Sequence, residues 1–465
     1  MARPKRLLKI CRVVDSQTAA HLARLEVDFL GFHLIEEDSD FAKVETIEAA
    51  QYTRDAFAFA GNCVLTKSTS LPFLKRLLYP GTFSYLQMHR RMDRDDLTSI
   101  RRLCDETDVK LIAMFDPGKN SPSYLEEIKK HSDLLLFDQT LGGTGRTLEG
   151  QDLDQYRGQQ FLLAGGIRIE HIAECVALYD PAGFDIQTSV ERAKGKKRFG
   201  AVRKIKMQLD PGFPSQKGVH RRSEVYFSAT DAPLDRLPSL MSALSSVIDG
   251  VHLDHAGGIV QERYRKNSLH HASWLAAVAP DIPYDLHVCV PVTHFLSTVD
   301  EYLARNENLL RAWMQVDVST QASRNEASEL VAQLRNRGIR PGLSISADST
   351  LEHIQAAVGE HVRRNGVSEI CILGSGSQHG RTVYAERVNA VFCYLKDLSV
   401  ENSSNLWCAV DLGLTDERLE NLRAGSNDAL IVGRALTDSD DPRSMVERLR
   451  VRLSSAQTHR RGPDR

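Results

Sequence analysis

The sequence lacks the features that mark membrane, secreted and zinc-finger proteins. Among its 465 residues no stretch reaches the ~18 consecutive apolar residues that a membrane span requires. The apolar part of the opening MARPKRLLKICRVVD is too short for a secretory signal. The eight cysteines are scattered, with no CxxC pair and no Cys/His finger spacing, and most lie in apolar segments such as CVLTK and CILGS. They are typical of buried, reduced thiols, and we expect a cytoplasmic protein.

The chain also has little net charge. Its formal charge is -2, while 42% of the residues are apolar and 26% are charged, as in ordinary globular proteins. A protein without a strong field is poorly suited to bind nucleic acid or a membrane surface. We therefore expect a small-molecule partner, with a homo-oligomer left open, and neither nucleic acid nor membrane.

Short apolar strands alternate with amphipathic helices along the whole chain. The runs rich in Val, Ile, Leu and Phe end in Gly, Ser, Asp or Thr, and there are sixteen of them, eight in each half. They begin with LLKICRV (7–13) in the first half and with VYFSAT (225–230) in the second. An open doubly wound sheet usually stops at about five or six strands, whereas a barrel requires eight. The sequence predicts an α/β protein with two tandem (β/α)8 TIM barrels.

The boundaries of the barrels follow from composition. The segment LDPGFPSQKGVHRRSE is rich in Gly, Pro and basic residues and has no hydrophobic period, which is typical of a surface linker. We predict a first barrel over residues 1–208, a linker over 209–224, a second barrel over 225–452 and a frayed tail over 453–465.

Four side chains at strand ends in the second half suggest a metal site. His252 and Asp254 alternate along one strand and so point to the same face, and His287 and Asp411 occupy matching ends of later strands. At the carboxyl ends of barrel strands that face can be the mouth of the active site. A single strand histidine or aspartate is more often a hydrogen-bonded structural group. Two imidazoles and two carboxylates together suit Zn²⁺, Mn²⁺, Fe²⁺ or Co²⁺.

At these residues the second half resembles the ribulose-phosphate 3-epimerase family. VYFSATDAPLDRL is similar to the family's PSILSADxxxL, DGVHLDHAGG to HxDxMDG, DLHVCV to DxHLMV and VDLGL to VDGGI. The resemblance implies that His252, Asp254, His287 and Asp411 are metal ligands and that Ser228 contacts substrate. It also implies that Asp254 and Asp411 are the acid and base that invert C3 of a ketose phosphate, one on each face.

The phosphate loops depart from this family. The family's PGFGGQ, Gly-Gly and Gly-Ser turns correspond here to GSGSQHGR (374–381), DLG (411–413) and VGRA (432–435). Backbone N–H groups at these turns could still bind a phosphate, and two arginines could add charge or could be solvated rim residues. The candidates are Gly376, Gly380, Gly413, Gly433, Arg381 and Arg434. Asp317 and the segment HAGG also change the pocket wall, so a substrate other than ribulose 5-phosphate is plausible.

The first half resembles the phosphoribosylanthranilate isomerase family. KICR, EVDFLGF, LQMHR, LFDQTLGGTG, LAGGI and DIQTSVE follow the order of the family's KICG, GADxxGF, QLHG, Asp-GGTG, AGGL and DVSSGVE segments. The resemblance implies that Cys11 is the general base and Asp138 the general acid of an Amadori rearrangement. The glycines that would hold the 5-phosphate through backbone N–H groups are Gly142, Gly143, Gly145, Gly165 and Gly166.

Three departures concern the substrate of the first half. The family's SxRxV arginine, which pairs with the anthranilate carboxylate, is missing from DSDFAKV (38–44), and Lys43 is not an equivalent replacement. KICG has become KICR, which places Arg12 beside the thiol, where a cation could lower the pKa of Cys11. Ser189 replaces a glycine of the phosphate turn. Three readings stay open: an isomerase for another amine-bearing ribose phosphate, a tryptophan-pathway isomerase, and a structural or regulatory remnant.

The two resemblances together imply two successive steps. An Amadori product is a ketose phosphate with a carbonyl at C2 and a proton at C3, the group that a 3-epimerase acts on. We therefore expect a bifunctional sugar-phosphate isomerase and epimerase with a divalent metal (Zn, Mn, Fe or Co). The alternatives are an active epimerase barrel with a structural N-terminal barrel, and a non-catalytic sugar-phosphate-binding protein.

Overall fold

The chain forms two compact units, Met1–Phe213 and Pro214–Arg465. The computed structural model describes residues 4–35, 41–57, 61–138, 156–157, 159–214, 223–230, 232–256, 262–315, 321–347, 349–373, 381–401, 406–411 and 428–458. Among these residues no helix has the length and apolar character needed to cross a membrane.

The first unit is a closed barrel of eight parallel strands in chain order, β1 pairing with β8. Its strands are β1 (Leu7–Ile10), β2 (Phe29–His33), β3 (Gly61–Thr66), β4 (Tyr85–Met88), β5 (Lys110–Phe115), β6 (Leu134–Phe137), β7 (Phe161–Leu163) and β8 (Gly183–Ile186).

Helices connect these strands. They are α1 (Ser16–Arg24), α2 (Phe41–Ala56), α3 (Leu71–Leu78), α4 (Arg94–Glu106), α5 (Pro122–His131), α6 (Ile172–Tyr179) and α7 (Phe199–Leu209). Side-chain caps fix where several begin: Asp15 accepts from the N–H of Thr18 at 2.7 Å, and Asp93 accepts from that of Asp96 at 2.8 Å. Because a cap fixes the residue at which a helix begins, it also fixes the length of the loop between that helix and the preceding strand.

The sequence did not predict a small antiparallel hairpin that follows β8. It consists of β9 (Glu191–Ala193) and β10 (Lys196–Lys197). Its residues are mostly charged, so no apolar alternation marks them. Ion pairs contribute to its position, because Lys197 is fully buried and its Nζ lies 2.7 Å from Oε1 of Glu191.

The second unit is also a closed eight-stranded parallel barrel, with β11 pairing with β18. Its strands are β11 (Glu224–Ser228), β12 (Gly250–Ala256), β13 (Tyr284–Cys289), β14 (Leu309–Gln315), β15 (Arg340–Ser346), β16 (Glu369–Leu373), β17 (Trp407–Asp411) and β18 (Ala429–Val432). Its described helices are α8 (Leu237–Leu244), α9 (Glu262–Val278), α10 (Val292–Arg305), α11 (Gln321–Arg335), α12 (Leu351–Asn365), α13 (Arg381–Glu401), α14 (Arg434–Thr437) and α15 (Pro442–Thr458).

Large aromatic side chains fill the interior of the second barrel. Trp313 and Trp407 are stacked with ring centroids 6.0 Å apart. Gly342, the β15 partner of Trp313, leaves the space that this indole occupies, since a Cβ there would lie 2.2 Å from the ring. The close approach of a neighbouring ring therefore requires glycine at this position.

The prediction of two tandem (β/α)8 barrels is confirmed, and each of the sixteen predicted strands overlaps an observed barrel strand. The division between the units falls inside the predicted linker. The last helix runs to Thr458, into the segment that we expected to be frayed.

Candidate functional site

A cavity of about 260 Å³ opens at the carboxyl ends of the strands of the first barrel. Cys11 and Asp138, the predicted base and acid, both line it, together with Gly165 and Gly166. The first barrel thus brings together the described members of its predicted site. Gly142, Gly143 and Gly145 lie outside the described residues.

Cys11 belongs to a buried cluster of three polar side chains. The Nζ of Lys9 donates to the Sγ of Cys11 at 2.6 Å and to Oδ2 of Asp185 at 2.8 Å. The thiol itself donates to the same Oδ2 at 3.5 Å. Lys9 and Asp185 are direct partners across the β1–β8 pairing, so closure of the barrel creates the cluster.

Burial governs the ionisation of this cluster at rest. Burial and the negative charge of Asp185 raise the pKa of Cys11 above its usual value, against the opposing effect of Lys9. For Lys9 burial acts in the opposite direction, but Asp185 and Cys11 outweigh it and raise the pKa. The resting cluster is therefore a neutral thiol beside a lysine–aspartate ion pair.

The expectation that Arg12 activates the thiol is wrong. Its Nη1 lies 3.5 Å from Oε2 of Glu191, so the guanidinium pairs with this carboxylate. With the amide of Gln187 turned so that its oxygen faces Arg12, that oxygen accepts from both Nη atoms at 2.9 Å. Arg12 adopts a positive φ of 58°, and its side chain contacts Glu191 of the β9–β10 hairpin. Lys9 is the cation that contacts the thiol.

Two histidines lie near the predicted acid and base. Nε2 of His89 lies 4.0 Å from Oδ2 of Asp138, and its Nδ1 lies 3.4 Å from Nε2 of Gln87. Burial lowers the pKa of His89 to about 4 and that of His33 well below its usual value, so both rings are neutral near pH 7. Among the described residues, Oε1 of Gln87 and Nε2 of His33 are buried without a hydrogen-bond partner. Such atoms lining a cavity are ready to bind a polar ligand.

The glycines after β7 form one edge of the cavity. Gly165 and Gly166 have positive φ values of 84° and 63°, a conformation that exposes backbone N–H groups without a Cβ in the way. Ser189 lines the same cavity, and its Oγ is buried without a partner among the described residues. This edge fits an anion such as a phosphate.

In the second barrel three of the four predicted ligands converge. One ligand atom each of His252, Asp254 and His287 lies within 4.8 Å of the others. Nδ1 of His287 is 3.0 Å and Nε2 of His252 is 3.4 Å from Oδ1 of Asp254. Oδ2 of Asp411 is 3.8 Å from Nε2 of His252, which places the fourth side chain on the same rim.

The electrostatics of the second site also match a cation site. Burial opposes ionisation of Asp254, but His252 and His287 outweigh it and hold its pKa below the usual range. Burial likewise opposes protonation of His287, whereas hydrogen bonds with Asp254 and Cys289 raise its pKa to about 10. Two imidazoles and two carboxylates are a donor set that divalent metals accept, and the metal would replace protons.

A buried charge network supports His252 from behind. Its Nδ1 lies 2.6 Å from Oδ1 of Asp285, whose Oδ2 accepts from Nη1 of Arg311 at 3.1 Å. Arg311 in turn pairs with Glu369, which also accepts from Arg340 at 3.1 Å. Arg311 also lies over the ring of Trp407, with 4.0 Å between Cζ and the ring centroid. With Nδ1 bonded to a carboxylate, Nε2 of His252 is left facing the cluster.

Of the remaining predicted contacts in the second barrel, some lie among the described residues and the others do not. Ser228 and Gly433 are neighbours at the ends of β11 and β18, since a Cβ on Gly433 would lie 3.5 Å from Cβ of Ser228. Arg434 is exposed. Gly376, Gly380, Gly413 and Asp317 lie outside the described residues, as do the side chains of Lys43 and Arg381.

The sequence reasoning missed Lys9, Asp185 and Asp285. Each is a charged residue inside an apolar strand. Lys9 and Asp285 also lie two positions from a predicted site residue, which places them on the same face of the strand as that residue. This spacing could have predicted Lys9 and Asp285 from the sequence.

A closed barrel with an acid, a thiol and an anion-binding edge in one mouth defines the first unit as an enzyme-like (β/α)8 barrel. The family model described as N-(5'phosphoribosyl)anthranilate (PRA) isomerase matches residues 8–208. The N-terminal unit is thus a phosphoribosylanthranilate isomerase-like domain.

Individual relatives agree with that match. The chain is 28% identical over 211 residues to the N-(5'-phosphoribosyl)anthranilate isomerase of Petrotoga mobilis, covering 44% of this chain and 95% of the relative. It is 27% identical over 209 residues to that of Synechocystis, with shares of 44% and 95%.

The chain is also similar to solved structures. The phosphoribosyl anthranilate isomerase of Thermus thermophilus is 22% identical, with a TM-score of 0.37 over 44% of this chain and 98% of that chain. KGPDC from Streptococcus mutans is 13% identical, with a TM-score of 0.35 over 51% and 99%.

Proposed function

We propose that the protein is a bifunctional sugar-phosphate isomerase and epimerase. The observation that carries the isomerase part is that Cys11 and Asp138 face one cavity whose edge is formed by Gly165 and Gly166. An acid and a base on one cavity, beside an anion-binding edge, are what an Amadori rearrangement of a phosphoribosyl-amine requires.

In this mechanism the two side chains act at different atoms. Asp138 gives its proton to the ring oxygen of the aminosugar, the C1–O bond breaks and an iminium forms between C1 and nitrogen. Cys11, as the thiolate, takes the C2 proton, and the electron pair of that C–H bond forms the C1–C2 double bond while the iminium nitrogen is neutralised. Tautomerisation of this enaminol to the ketone puts a proton on C1. The backbone at Gly165 and Gly166 holds the phosphate throughout.

Two features support a substrate other than the anthranilate conjugate. The arginine of the SxRxV motif has no counterpart in DSDFAKV. Within the described part of the cavity, Lys67 and Arg12 are the cations in the lining, and Arg12 is engaged by Glu191. A flat bidentate clamp for an arylcarboxylate is therefore not formed by those residues.

The second barrel is proposed to epimerise C3 of a ketose phosphate. The observation that favours this activity is the convergence of His252, Asp254 and His287, with Asp411 on the same rim. These four residues would hold a divalent ion, which would supply neutralisation of the enediolate charge when bound. Asp254 and Asp411 would remove the C3 proton from one face and return a proton on the other.

The two activities fit one another chemically. The isomerase product carries a carbonyl at C2, which acidifies the proton at C3, and that proton is the one the second barrel would move. The rival function is a non-catalytic sugar-phosphate-binding protein. Two carboxylates held beside two histidines on one rim are more than a sensor requires, which favours the enzyme.

The test is to assay the full chain with a panel of phosphoribosyl-amines, ribulose 5-phosphate and allulose 6-phosphate. Turnover of an amine that is lost in Cys11→Ser and Asp138→Asn supports the isomerase. Turnover of a ketose phosphate that is lost in Asp254→Asn and Asp411→Asn supports the epimerase. Asp300→Asn, at an exposed pair with Arg337, is the control. Binding of the compounds without any turnover would favour the sensor.

A further inference from the structure

The buried Lys9–Cys11–Asp185 cluster contains two groups that the proposed isomerase mechanism does not use. Lys9 is fully buried, Cys11 is 3% exposed, and the side chain of Asp185 is 7% exposed. Burying a charged lysine and a charged aspartate costs desolvation free energy, which must be offset by interactions with each other or with a third group. Here the third group is the thiol, which contacts both of them.

One carboxylate oxygen of Asp185 has no hydrogen-bond donor among the described residues. The Oδ2 of Asp185 accepts from Lys9 and from the thiol, whereas its Oδ1 is buried without a hydrogen-bond partner. Buried acceptor atoms without a partner are rare, so Oδ1 gives Asp185 unused acceptor capacity beside the thiol. The thiol proton, 3.5 Å away across Sγ and Oδ2, is the one within reach.

We propose that Asp185 takes the proton of Cys11 while Lys9 holds the resulting thiolate, so that the base of the first barrel is made by an internal transfer. This inference rests on the role proposed for Cys11. The S–H bond breaks, its electron pair stays on sulphur, and an O–H bond forms at Oδ2 of Asp185. Lys9, whose Nζ lies 2.6 Å from sulphur in the structure, stays an ammonium throughout. No proton enters or leaves the cluster.

Other ionisable groups lie around the thiol. His33 of β2, His89 just after β4 and Asp138 just after β6 line the same cavity as Cys11, as do Arg12 and Lys67. Cys63 of β3 interacts with the thiol electrostatically, and Lys197 of β10 contacts the backbone oxygen of Cys11. Burial lowers the pKa of His89 to about 4 and raises that of Cys63 to about 12, and His33 is also held neutral. Lys197 donates to the backbone oxygen of Cys11 and pairs with Glu191. His33, His89 and Cys63 therefore stay uncharged near neutral pH.

The internal transfer has a distinct pH signature. A thiolate formed by losing its proton to water grows about tenfold per pH unit below its pKa. A thiolate formed by internal transfer has a population that does not depend on pH. Alkylation of Cys11 in the full chain by iodoacetamide, followed by peptide mass spectrometry, is therefore expected to be flat between about pH 6 and 8. Cys393, an exposed cysteine alkylated in the same sample, is the internal reference.

Two variants separate the roles of the partners. Asp185→Asn keeps the size of the side chain but cannot take the proton, so alkylation of Cys11 should become pH-dependent. Lys9→Met removes the ammonium and should slow alkylation at least tenfold. Lys206→Met is the matched control, because Lys206 is an equally buried lysine that pairs with Asp28 at 2.9 Å elsewhere in the same barrel. That control should leave the flat profile unchanged.

The wild-type profile and the Asp185→Asn profile together decide the proposal. A wild-type Cys11 profile that rises about tenfold per pH unit, parallel to Cys393, overturns the proposal. A flat profile that persists in Asp185→Asn overturns it as well. A flat wild-type profile that gains a slope in Asp185→Asn supports it. If that result came with no turnover of any phosphoribosyl-amine, the isomerase assignment would fail while the proton transfer would stand.

Discussion

Oδ1 of Asp285 lies 2.6 Å from Nδ1 of His252, and both residues are fully buried. They are direct partners in the β12–β13 pairing, as are Asp254 and His287 two positions further along the same strands. The strand register therefore produces both the ligand cluster and its support. A carboxylate at Nδ1 fixes the tautomer in which Nε2 is free to bind a metal.

The first prediction concerns this pair. Asp285→Asn should weaken binding of Co²⁺ or Zn²⁺ by about 10- to 100-fold, because the amide supports the ligand tautomer less well than the carboxylate does. Competition against a chelator of known affinity measures this change. Asp300→Asn, which alters an aspartate at an exposed ion pair, should leave the affinity unchanged. Equal affinity in wild type and Asp285→Asn would show that His252 does not depend on this support.

A second prediction tests the acid and the base of the first barrel. Cys11→Ser and Asp138→Asn should each lower kcat for the phosphoribosyl-amine by about 10²- to 10⁴-fold, since a positioned acid or base contributes that much. KM should change far less. Cys104→Ala, at a buried cysteine of α4 outside the cavity lining, should retain its rate. Loss of activity in that control would point to a defect of folding rather than of chemistry.

The third prediction concerns packing in the second barrel. A Cβ at position 342 would meet the Trp313 ring at 2.2 Å, so Gly342→Ala should lower the free energy of unfolding by about 1–3 kcal/mol. Urea denaturation followed by tryptophan fluorescence reports this change. Gly212→Ala, where the nearest atom would lie 3.4 Å away, should have little effect. Equal stability of the two variants would contradict this packing.

A fourth prediction concerns pH. Burial lowers the pKa of His89 from 6.5 to about 4, so the unfolded chain binds the proton more readily than the folded barrel does. The contribution of the neutral ring is complete above pH 6.5 and is lost as the pH falls toward about 4. His89→Gln should therefore make the stability of the first unit less sensitive to acid over this range. Denaturant midpoints measured across the range, with the exposed His353→Gln as control, check this prediction.

The fold could be predicted because each barrel strand is a short apolar run that ends in a small or polar residue. The β9–β10 hairpin could not, since strands such as Glu191–Ala193 are held by ion pairs and carry no apolar alternation. Local patterns report burial, and this hairpin buries little apolar surface.

The site was predictable to the extent that its residues lie close in sequence or match known motifs. His252 and Asp254 share a strand, so alternation alone places them together. Lys9 and Asp185 are separated by most of the barrel and meet only because β1 pairs with β8 in one register. Similarly, the direction of the Arg12 side chain follows from Glu191 and Gln187, whose positions depend on the unpredicted hairpin and the turn before it.

The most direct test of two proton-transfer sites in one chain is proton NMR in D₂O with a phosphoribosyl-amine substrate and with the corresponding aminodeoxyketose phosphate. We predict that the C2 proton of the first compound is lost unless Cys11 is replaced by Ser. We also predict that the C3 proton of the second exchanges for deuterium unless Asp254 or Asp411 is replaced by Asn. Each exchange should survive the substitution in the other barrel. Two results would contradict the account. One is exchange at C3 in Asp254→Asn and Asp411→Asn at the wild-type rate, and the other is loss of the C2 proton in Cys11→Ser at the wild-type rate.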